Sequence, residues 1–254
     1  MDHRNSRAAT LTVERPVMAG DLRVKVFADG ADLEGIRSLY GNPLIQGFTT
    51  NPTLMRKAGI TDYAGFAREL LEVVPDRPIS FEVFSDEFAD MERQARLISA
   101  WGDNVYVKIP ATNCQGVRSD GLLRGLCGAG VKVNVTGITT PAQVEWVAEC
   151  VGGGPPCYIS LFAGRVADTG LDPVPGMQAA LEIIDRLAPN AELIWASPRE
   201  ILNVVQADRI GCHIITVTHD LLKKLPLLGK DLDQFSLETV RMFHNDAQTA
   251  GYTL

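Results

Sequence analysis

The stretch Val105-Tyr-Val-Lys-Ile-Pro110 shows the pattern from which the fold can be inferred. It is a short run of β-branched and aromatic residues, typical of a buried strand, and it stops at a proline. One charged residue, Lys108, stands inside the run. A lysine at the end of a strand can simply extend its ammonium group to water. Alternatively, burial can favour the neutral amine, a nucleophile that forms a Schiff base with a carbonyl substrate.

Seven further segments of this kind occur along the chain, and segments with helical character lie between them. Eight short strands that alternate with helices predict a parallel sheet joined by βα crossovers. Eight is also the number of strands that closes a barrel, so we predict a single eight-stranded (β/α)8 TIM barrel. An open doubly wound sheet is the alternative. The predicted strands are residues 22–29, 45–51, 79–84, 105–109, 131–136, 158–162, 193–197 and 214–218.

The chain has 254 residues, a length at which an α/β barrel commonly forms one domain, and no low-complexity linker divides it. Residues 1–10 lack the apolar core of a secretory signal, and residues 1–21 are expected to form a flexible arm. Residues 22–254 are expected to form one catalytic barrel that includes an extra amphipathic C-terminal helix near residues 237–250. That helix must cover its own barrel or a neighbouring copy, and we expect a homo-oligomer.

Composition argues against several classes of partner. The formal net charge of −7 argues against a general nucleic-acid surface. No run approaches the roughly 20 apolar residues of a membrane helix, so no membrane partner is expected. The five cysteines lack a CxxC spacing and the four histidines lack an HExxH pair. We therefore expect neither a disulfide framework nor a metal, and a cytoplasmic location is the default.

The alternation of side chains along a strand separates the two faces of each predicted strand. In a barrel one face packs against helices, while the other fills the lumen and forms the active site at the C-terminal end. In the fourth strand Val105, Val107 and Ile109 share the apolar face and leave Lys108 on the other. The same test finds these polar residues late on the lumen face of six other strands: Asp29, Thr49, Asn51, Glu82, Asn134, Thr136, Ser160, Ser197 and Arg199.

The convergence of these residues favours a catalytic site over seven unrelated strand ends. A single polar residue at a strand end is usually hydrogen bonded in its place. Acids, amides, a lysine and arginines at one barrel mouth are what covalent and acid–base catalysis require. For the seventh strand the test assigns Ile194 and Ala196 to the outward face and Trp195 to the lumen.

Five segments resemble the transaldolase family, which includes the related fructose-6-phosphate aldolases. Gly47-Phe-Thr-Thr-Asn-Pro-Thr-Leu54 resembles the family signature, and Val107-Lys-Ile-Pro-Ala-Thr112 is similar to the segment of the Schiff-base lysine. Asn134-Val-Thr136 is similar to the family's threonine strand. Ile159-Ser-Leu-Phe-Ala-Gly-Arg165 and Ala196-Ser-Pro-Arg199 resemble the segments of the serine, the aromatic residue and the phosphate-contacting arginines. The matches occur in order over most of the chain.

The resemblance implies an eight-stranded barrel without a metal or organic cofactor that transfers a three-carbon dihydroxyacetone unit. Lys108 would attack the carbonyl of a ketose phosphate, and the resulting iminium would accept electrons as the C3–C4 bond breaks. The enamine left on the lysine would then attack an acceptor aldehyde. Asp29 would take the proton of the C4 hydroxyl group. Glu82 and Thr136 would activate a water molecule for forming and dehydrating the carbinolamine.

The remaining matched positions imply contacts with a sugar-phosphate substrate. The implied substrate-binding residues are Asn51, Thr49, Ser160, Phe162, Arg165, Ser197 and Arg199. Short polar side chains among them would orient hydroxyl groups, and the planar arginine guanidinium groups would clamp the phosphate. The donor would be sedoheptulose 7-phosphate or fructose 6-phosphate, in carbohydrate metabolism of the pentose phosphate type.

Two residues favour a transaldolase over an aldolase that releases free dihydroxyacetone. Glu82 and Phe162 match transaldolases, where the aldolases carry glutamine and tyrosine. That lyase, a specialised sugar aldolase and a non-catalytic sugar-phosphate-binding barrel are the alternatives. Other positions depart from the family pattern. Gly30 stands where a small hydroxyl residue or alanine is more usual, and Thr218-His-Asp220 replaces the usual end of the eighth strand. His219 is interpreted as a helix-capping or solvated residue, with substrate contact as the alternative.

Overall fold

Eight parallel strands form a closed barrel in the computed structural model, which describes residues 17–253. Each strand pairs with the next one along the chain, and the last pairs with the first. The predicted (β/α)8 barrel is therefore confirmed, and the open-sheet alternative is wrong. The strands are β1 (Lys25–Asp29), β2 (Ile45–Thr49), β3 (Ile79–Glu82), β4 (Val105–Pro110), β5 (Val133–Ile138), β6 (Cys157–Leu161), β7 (Ala191–Trp195) and β8 (Ile214–Thr218).

Helices follow the strands, and none in residues 17–253 is long and apolar enough to cross a bilayer. They are α1 (Leu33–Tyr40), α2 (Pro52–Lys57), α3 (Tyr63–Val73), α4 (Phe88–Ser99), α5 (Asp120–Gly128), α6 (Pro141–Val151), α7 (Ala163–Asp168), α8 (Pro173–Leu187), α9 (Leu202–Arg209), α10 (His219–Leu222) and α11 (Leu232–Ala250). The sequence did not predict α2 and α7. Each has six residues, which is too short for a helical period to be visible.

The deep part of the lumen is filled with apolar and aromatic side chains. The rings of Tyr106 and Tyr158 stack with centroids 4.0 Å apart, and Phe27 meets Tyr158 edge-on at 5.8 Å. Ile194, Ala196 and Ile214 complete this cluster. Tyr106 lies two residues before Lys108 on the same strand face, so the cluster closes the barrel below the lysine. The open polar end is therefore the C-terminal end, where active sites of such barrels lie.

The predicted orientation of the seventh strand is wrong. Ile194 and Ala196 pack in the lumen cluster, so Trp195 points towards the helices. Glu192 shares the face of Ile194, and its carboxylate lies 2.6 Å from the Lys25 ammonium. The error has two physical causes. Residues 193–196 are apolar on both faces, which removes the alternation signal there, and Ser197 has a left-handed φ of 61°, so alternation does not continue through it.

Residues 22–225 form one compact unit, which contains the whole barrel. A second unit includes residues 17–21 and 226–253. In it, α11 begins at Leu232, earlier than predicted, because the Asp231 side chain accepts a hydrogen bond of 2.8 Å from the Gln234 amide. The helix ends at Ala250 and is followed by the C-cap residue Gly251, whose φ is 66°. Residues 1–16 of the predicted arm lie outside the described residues, and the inclusion of the last helix in the barrel domain stays a prediction.

Candidate active site

The ends of β1 to β4 bring four of the predicted side chains side by side. Asp29 pairs in register with Thr49, and Glu82 pairs in register with Lys108. All four have the lumen-facing parity, so their side chains extend into the same space above the aromatic cluster. The strand alternation read from the sequence thus accounts for the centre of the site.

Lys108 is buried in the lumen, with 7% of its surface exposed. Its ammonium nitrogen lies 3.0 Å from Glu82 Oε2 and donates a hydrogen bond of 3.0 Å to the carbonyl oxygen of Thr50. The side chain therefore does not extend to bulk water. The alternative of a strand-end lysine that reaches the solvent is wrong. A buried amine beside a carboxylate has a nearby acceptor for the proton that it must lose to act as a nucleophile.

The Asp29 carboxylate lies in a cluster of donors on the same side of the lumen. The Thr49 hydroxyl donates to Asp29 Oδ1 at 2.8 Å, and the Asn51 amide donates to Oδ2 at 3.3 Å. Burial raises the pKa of the Asp29 carboxyl above its ordinary value, although the charge of Lys108 and both hydrogen bonds oppose the rise. A carboxyl group with a raised pKa suits proton transfer near neutral pH.

The raised pKa of Asp29 predicts an effect of pH on stability. The folded state binds the carboxyl proton more tightly than the unfolded state, so stability falls as pH rises above the ordinary aspartate pKa of about 3.9. As pH rises above that value, the native protein increasingly bears the cost of ionising this buried carboxyl, whereas Asp29→Asn does not. We expect the variant to melt a few degrees higher than the native protein at pH 8, with a smaller difference at pH 4. Calorimetry across this range checks it; a difference that stays constant with pH would contradict it.

Asn51 has two roles within the protein. Its Oδ1 accepts a hydrogen bond of 2.9 Å from the Leu54 amide and so caps α2, while its amide nitrogen donates to Asp29. Thr49 also has two partners, because its hydroxyl group lies 2.5 Å from that of Thr216 on β8 in addition to its hydrogen bond with Asp29. Their predicted contacts with substrate stay predictions, and the geometry supports a second effect of both residues, which is to orient Asp29.

Three polar side chains on β3, β5 and β6 form a buried chain of hydrogen bonds beside the lysine. The Ser160 hydroxyl donates to Asn134 Oδ1 at 2.7 Å, and the Asn134 amide donates to the Ser80 hydroxyl at 3.0 Å. Thr136 lies one lumen position above Asn134, in register with Pro110, and is also buried. Its hydroxyl has no hydrogen-bond partner among residues 17–253, so it is available to hold a water molecule or a substrate.

The predicted phosphate-binding residues lie after β6 and β7. The Arg165 guanidinium lies over the Phe162 ring, 5.3 Å from its centroid. Arg199 is held by an ion pair with Asp168, in which its Nε donates at 2.9 Å, and this nitrogen also lies 3.4 Å from the Gly164 carbonyl oxygen. The sequence did not predict that partner. Common binding of one phosphate by these arginines and Ser197 stays a prediction.

Gly164 allows the close approach of α7 to the end of β7. A Cβ atom at this position would lie 1.5 Å from the carbonyl oxygen of Ser197. We expect Gly164→Ala to destabilise the protein by about 3 kcal/mol or more, because the backbone must move apart. Thermal denaturation measures the loss. Gly125→Ala is the matched control, because a Cβ there meets nothing within 4 Å inside α5, and it should be neutral or stabilising. Equal melting temperatures for the two variants would contradict the proposed contact.

Three groups that sequence reasoning missed also shape the site. The Thr50 carbonyl oxygen could not be found from side-chain patterns. The Tyr63 hydroxyl donates to the Glu82 carbonyl oxygen at 2.8 Å and accepts from the Glu82 amide at 2.9 Å, which holds the end of β3. Burial raises the pKa of Tyr63, so the hydroxyl stays protonated. Thr216 could have been found by applying the alternation test to the eighth strand.

His219, interpreted from the sequence as a capping or solvated residue, is the first residue of α10 and is partly exposed. Its Nε2 atom is buried and has no hydrogen-bond partner among residues 17–253. Burial lowers the pKa of the imidazole, opposed by the charges of Asp32, Asp29 and Asp220, so the ring is neutral at pH 7. Its interpretation as a capping or solvated residue stays a prediction. Among residues 17–253, no group of three His, Cys, Asp or Glu side chains could hold a metal ion.

Comparison with known proteins identifies sequences of the same kind. The model of the family described as "Transaldolase/Fructose-6-phosphate aldolase" matches residues 26–254. A "Probable transaldolase" of Streptococcus equi subsp. zooepidemicus (strain MGCS10565) is 36% identical over 84% of this chain and 96% of its own length. "Probable transaldolase 2" of Listeria monocytogenes is 34% identical over 84% of this chain and 94% of its own.

A solved structure with a similar fold is a dihydrodipicolinate synthase from Rhodopseudomonas palustris. Its TM-score is 0.54 at 14% identity, and the match covers 92% of this chain and 82% of that one. At this identity the likeness supports the barrel fold and carries no information about the reaction.

Proposed function

The chain belongs to the transaldolase/fructose-6-phosphate aldolase family, and we propose that it is a transaldolase with a class I mechanism. In this proposal it moves a dihydroxyacetone unit from a ketose phosphate to an aldose through a Schiff base on Lys108. The observation that carries the proposal is the buried contact of 3.0 Å between the Lys108 ammonium and Glu82, with Asp29 on the same lumen face. A lysine, an acid to exchange its proton and a second acid for the sugar hydroxyl are the groups that this chemistry needs.

The first half of the reaction joins the donor to the lysine. Lys108 loses a proton, and its amine attacks C2 of the ketose to form a carbinolamine. Loss of water then gives the iminium, and this step needs a proton on the departing hydroxyl group. Glu82 is the nearest acid to the lysine nitrogen. The free hydroxyl group of Thr136 supports an ordered water molecule that carries the proton between Glu82 and the nitrogen.

The second half breaks and makes the carbon–carbon bond. Asp29 takes the proton of the C4 hydroxyl group, the C3–C4 electron pair moves into the iminium, and the shortened aldehyde leaves. The three-carbon enamine stays on Lys108 until an acceptor aldehyde arrives. Its attack on that aldehyde forms a new C3–C4 bond and restores the iminium, and Asp29 returns the proton to the new hydroxyl group. Addition of water to the iminium then releases the product ketose and the free amine of Lys108. The raised pKa of Asp29 supports both directions of this transfer.

The cellular role is proposed from the chemistry and the family. The substrates are sugar phosphates, of which sedoheptulose 7-phosphate and fructose 6-phosphate are the candidate donors, with Arg165, Ser197 and Arg199 near the phosphate. The reaction needs no cofactor, because the lysine itself provides the electron sink. We place the enzyme in pentose phosphate-type metabolism of the cytoplasm, as a homo-oligomer without a nucleic-acid or membrane partner.

Dependence on an acceptor separates the transferase from the lyase. We expect release of glyceraldehyde 3-phosphate from fructose 6-phosphate to be at least about 10-fold faster with erythrose 4-phosphate than without it, since the enamine otherwise waits for a proton. A coupled dehydrogenase assay measures the release, and free dihydroxyacetone is quantified in parallel. Equal rates with stoichiometric dihydroxyacetone would favour the lyase. No turnover and no borohydride adduct would favour a non-catalytic binding barrel.

A further inference from the structure

The backbone of Glu82 extends beyond the part of β3 that β2 can pair. On the β2 side of the ladder, the Ser80 carbonyl oxygen accepts a hydrogen bond of 3.2 Å from the Thr50 amide. Glu82 has the same parity as Ser80, so its own amide and carbonyl groups face this side too. There β2 has already ended, because Asn51 caps α2. The strand that carries the proposed acid therefore ends in two backbone groups that have no partner in β2 and need one.

The hydroxyl group of Tyr63 takes the place of the missing strand. It donates to the Glu82 carbonyl oxygen at 2.8 Å and accepts from the Glu82 amide at 2.9 Å. Only a group that donates and accepts at once can serve both, and a neutral hydroxyl group does so. Burial raises the pKa of Tyr63, so the group stays neutral. One side chain of α3 thereby holds both backbone groups at the end of β3.

The ring that presents this hydroxyl group is itself held by other aromatic residues. Tyr63 is the first residue of α3. Its ring meets Phe81 and Phe84 edge-on, with centroids 6.4 Å and 5.6 Å away. The ring of Trp101 lies at 5.9 Å. Packing on these sides restricts the movement of the ring, so the hydroxyl group fixes the strand end and does not simply follow it.

We propose that Tyr63 is a positioning residue: its hydroxyl group fixes the Glu82 backbone so that the carboxylate stays beside the Lys108 nitrogen while the Schiff base forms. This inference rests on the proposed function, in which Glu82 exchanges the protons of the carbinolamine step. The carboxylate lies 3.0 Å from that nitrogen. A displacement of the strand end by about 1 Å would take it out of hydrogen-bond reach, and errors of this size slow catalysis strongly.

Tyr63→Phe tests the hydroxyl group, because the variant keeps the ring and its packing. Dihydroxyacetone is the sugar of choice, since it can form the Schiff base but has no C3–C4 bond to break. Borohydride added at successive times then measures the rate of adduct formation on Lys108, the step assigned to Glu82. We expect the variant to form the adduct about 10-fold or more slowly than the native enzyme.

A double-mutant cycle shows whether the hydroxyl group acts through the acid. Glu82→Ala keeps the backbone but removes the carboxylate, so no acid is left to position. In that background Tyr63→Phe should slow adduct formation by less than about 2-fold. In the Asp29→Asn background the same change should keep its full effect, because Asp29 acts in the later cleavage of the C3–C4 bond.

Tyr40→Phe is the matched control for the loss of a tyrosine hydroxyl group. The Tyr40 hydroxyl donates to Asp76 Oδ1 at 2.9 Å, and Asp76 precedes β3 at the end opposite Glu82. The control variant therefore loses a hydrogen bond without any change at the site. We expect it to form the adduct at the native rate.

Adduct formation by the native enzyme separates the inference from the proposed function. If the native enzyme forms no adduct, the proposed function fails and the inference fails with it. If the adduct forms and Tyr63→Phe forms it within about 2-fold of the native rate, the inference alone is overturned. An equal slowing with and without the Glu82 carboxylate also overturns it, because the hydroxyl group would then act on the fold. Slowing that requires the carboxylate, with circular dichroism unchanged, supports it.

Discussion

Lys108→Met is expected to abolish dihydroxyacetone transfer, with a loss of at least about 10⁴-fold in kcat. The variant has no amine, so neither the carbinolamine nor the iminium can form. Methionine has a similar length and can occupy the lumen above the aromatic cluster, so the barrel should keep its circular dichroism spectrum. The measurement is the coupled assay of glyceraldehyde 3-phosphate release, together with the adduct trapped by borohydride.

The controls for this variant separate loss of chemistry from loss of structure. Removal of the ammonium leaves Glu82 without its partner in a mostly buried position, which by itself lowers stability. The double variant Lys108→Met with Glu82→Gln removes that unpaired charge and should recover stability but not activity. Lys132→Met is the matched lysine control, because its ammonium donates to the Asp103 carbonyl oxygen, away from the proposed site. Residual transfer above about one part in a hundred in Lys108→Met would contradict the role of the lysine.

Asp29→Asn is expected to lower transfer by about 10³-fold while the Schiff base still forms. Asparagine keeps the size of the side chain but cannot take the proton of the C4 hydroxyl group, so the C3–C4 bond stays intact. Mass analysis of the borohydride product measures this directly. With fructose 6-phosphate the native enzyme should carry both six-carbon and three-carbon adducts, whereas the variant should carry only the six-carbon phosphate adduct.

The opposite result would assign the proton transfer to another group. If three-carbon adducts accumulate on Asp29→Asn as fast as on the native enzyme, Asp29 does not assist bond cleavage. Thr49→Val provides a graded comparison, since it removes the hydrogen bond of 2.8 Å to Asp29 and leaves the carboxylate. We expect that variant to lose less activity than Asp29→Asn.

Alternation of side chains was sufficient to locate the centre of the candidate site. Lys108, Glu82 and Asp29 are polar residues at the ends of strands whose other face is apolar, so the sequence pattern and the barrel geometry carry the same information. The pattern failed on β7 because residues 193–196 are apolar on both faces. There Trp195 and Ile194 cannot be distinguished without knowledge of their neighbours.

Contacts between distant segments account for what the sequence could not predict. The His219 ring occupies a space that depends on Gly30 and Gly35. These glycines are distant from His219 in the sequence but adjacent to it in the structure. The hydrogen bond from Lys108 to the Thr50 carbonyl oxygen involves the backbone, which has no signature in residue types. The ion pair of Arg199 with Asp168 requires α7, a helix too short to be inferred from periodicity.

The central claim, that Lys108 carries the sugar as a Schiff base, is tested most directly by borohydride reduction with fructose 6-phosphate followed by peptide mass mapping. The account predicts a sugar-derived mass increase on the peptide that contains Lys108, and no such increase in the Lys108→Met variant. An enzyme that turns over fructose 6-phosphate but shows no adduct, or shows it only on another lysine, would contradict the claim.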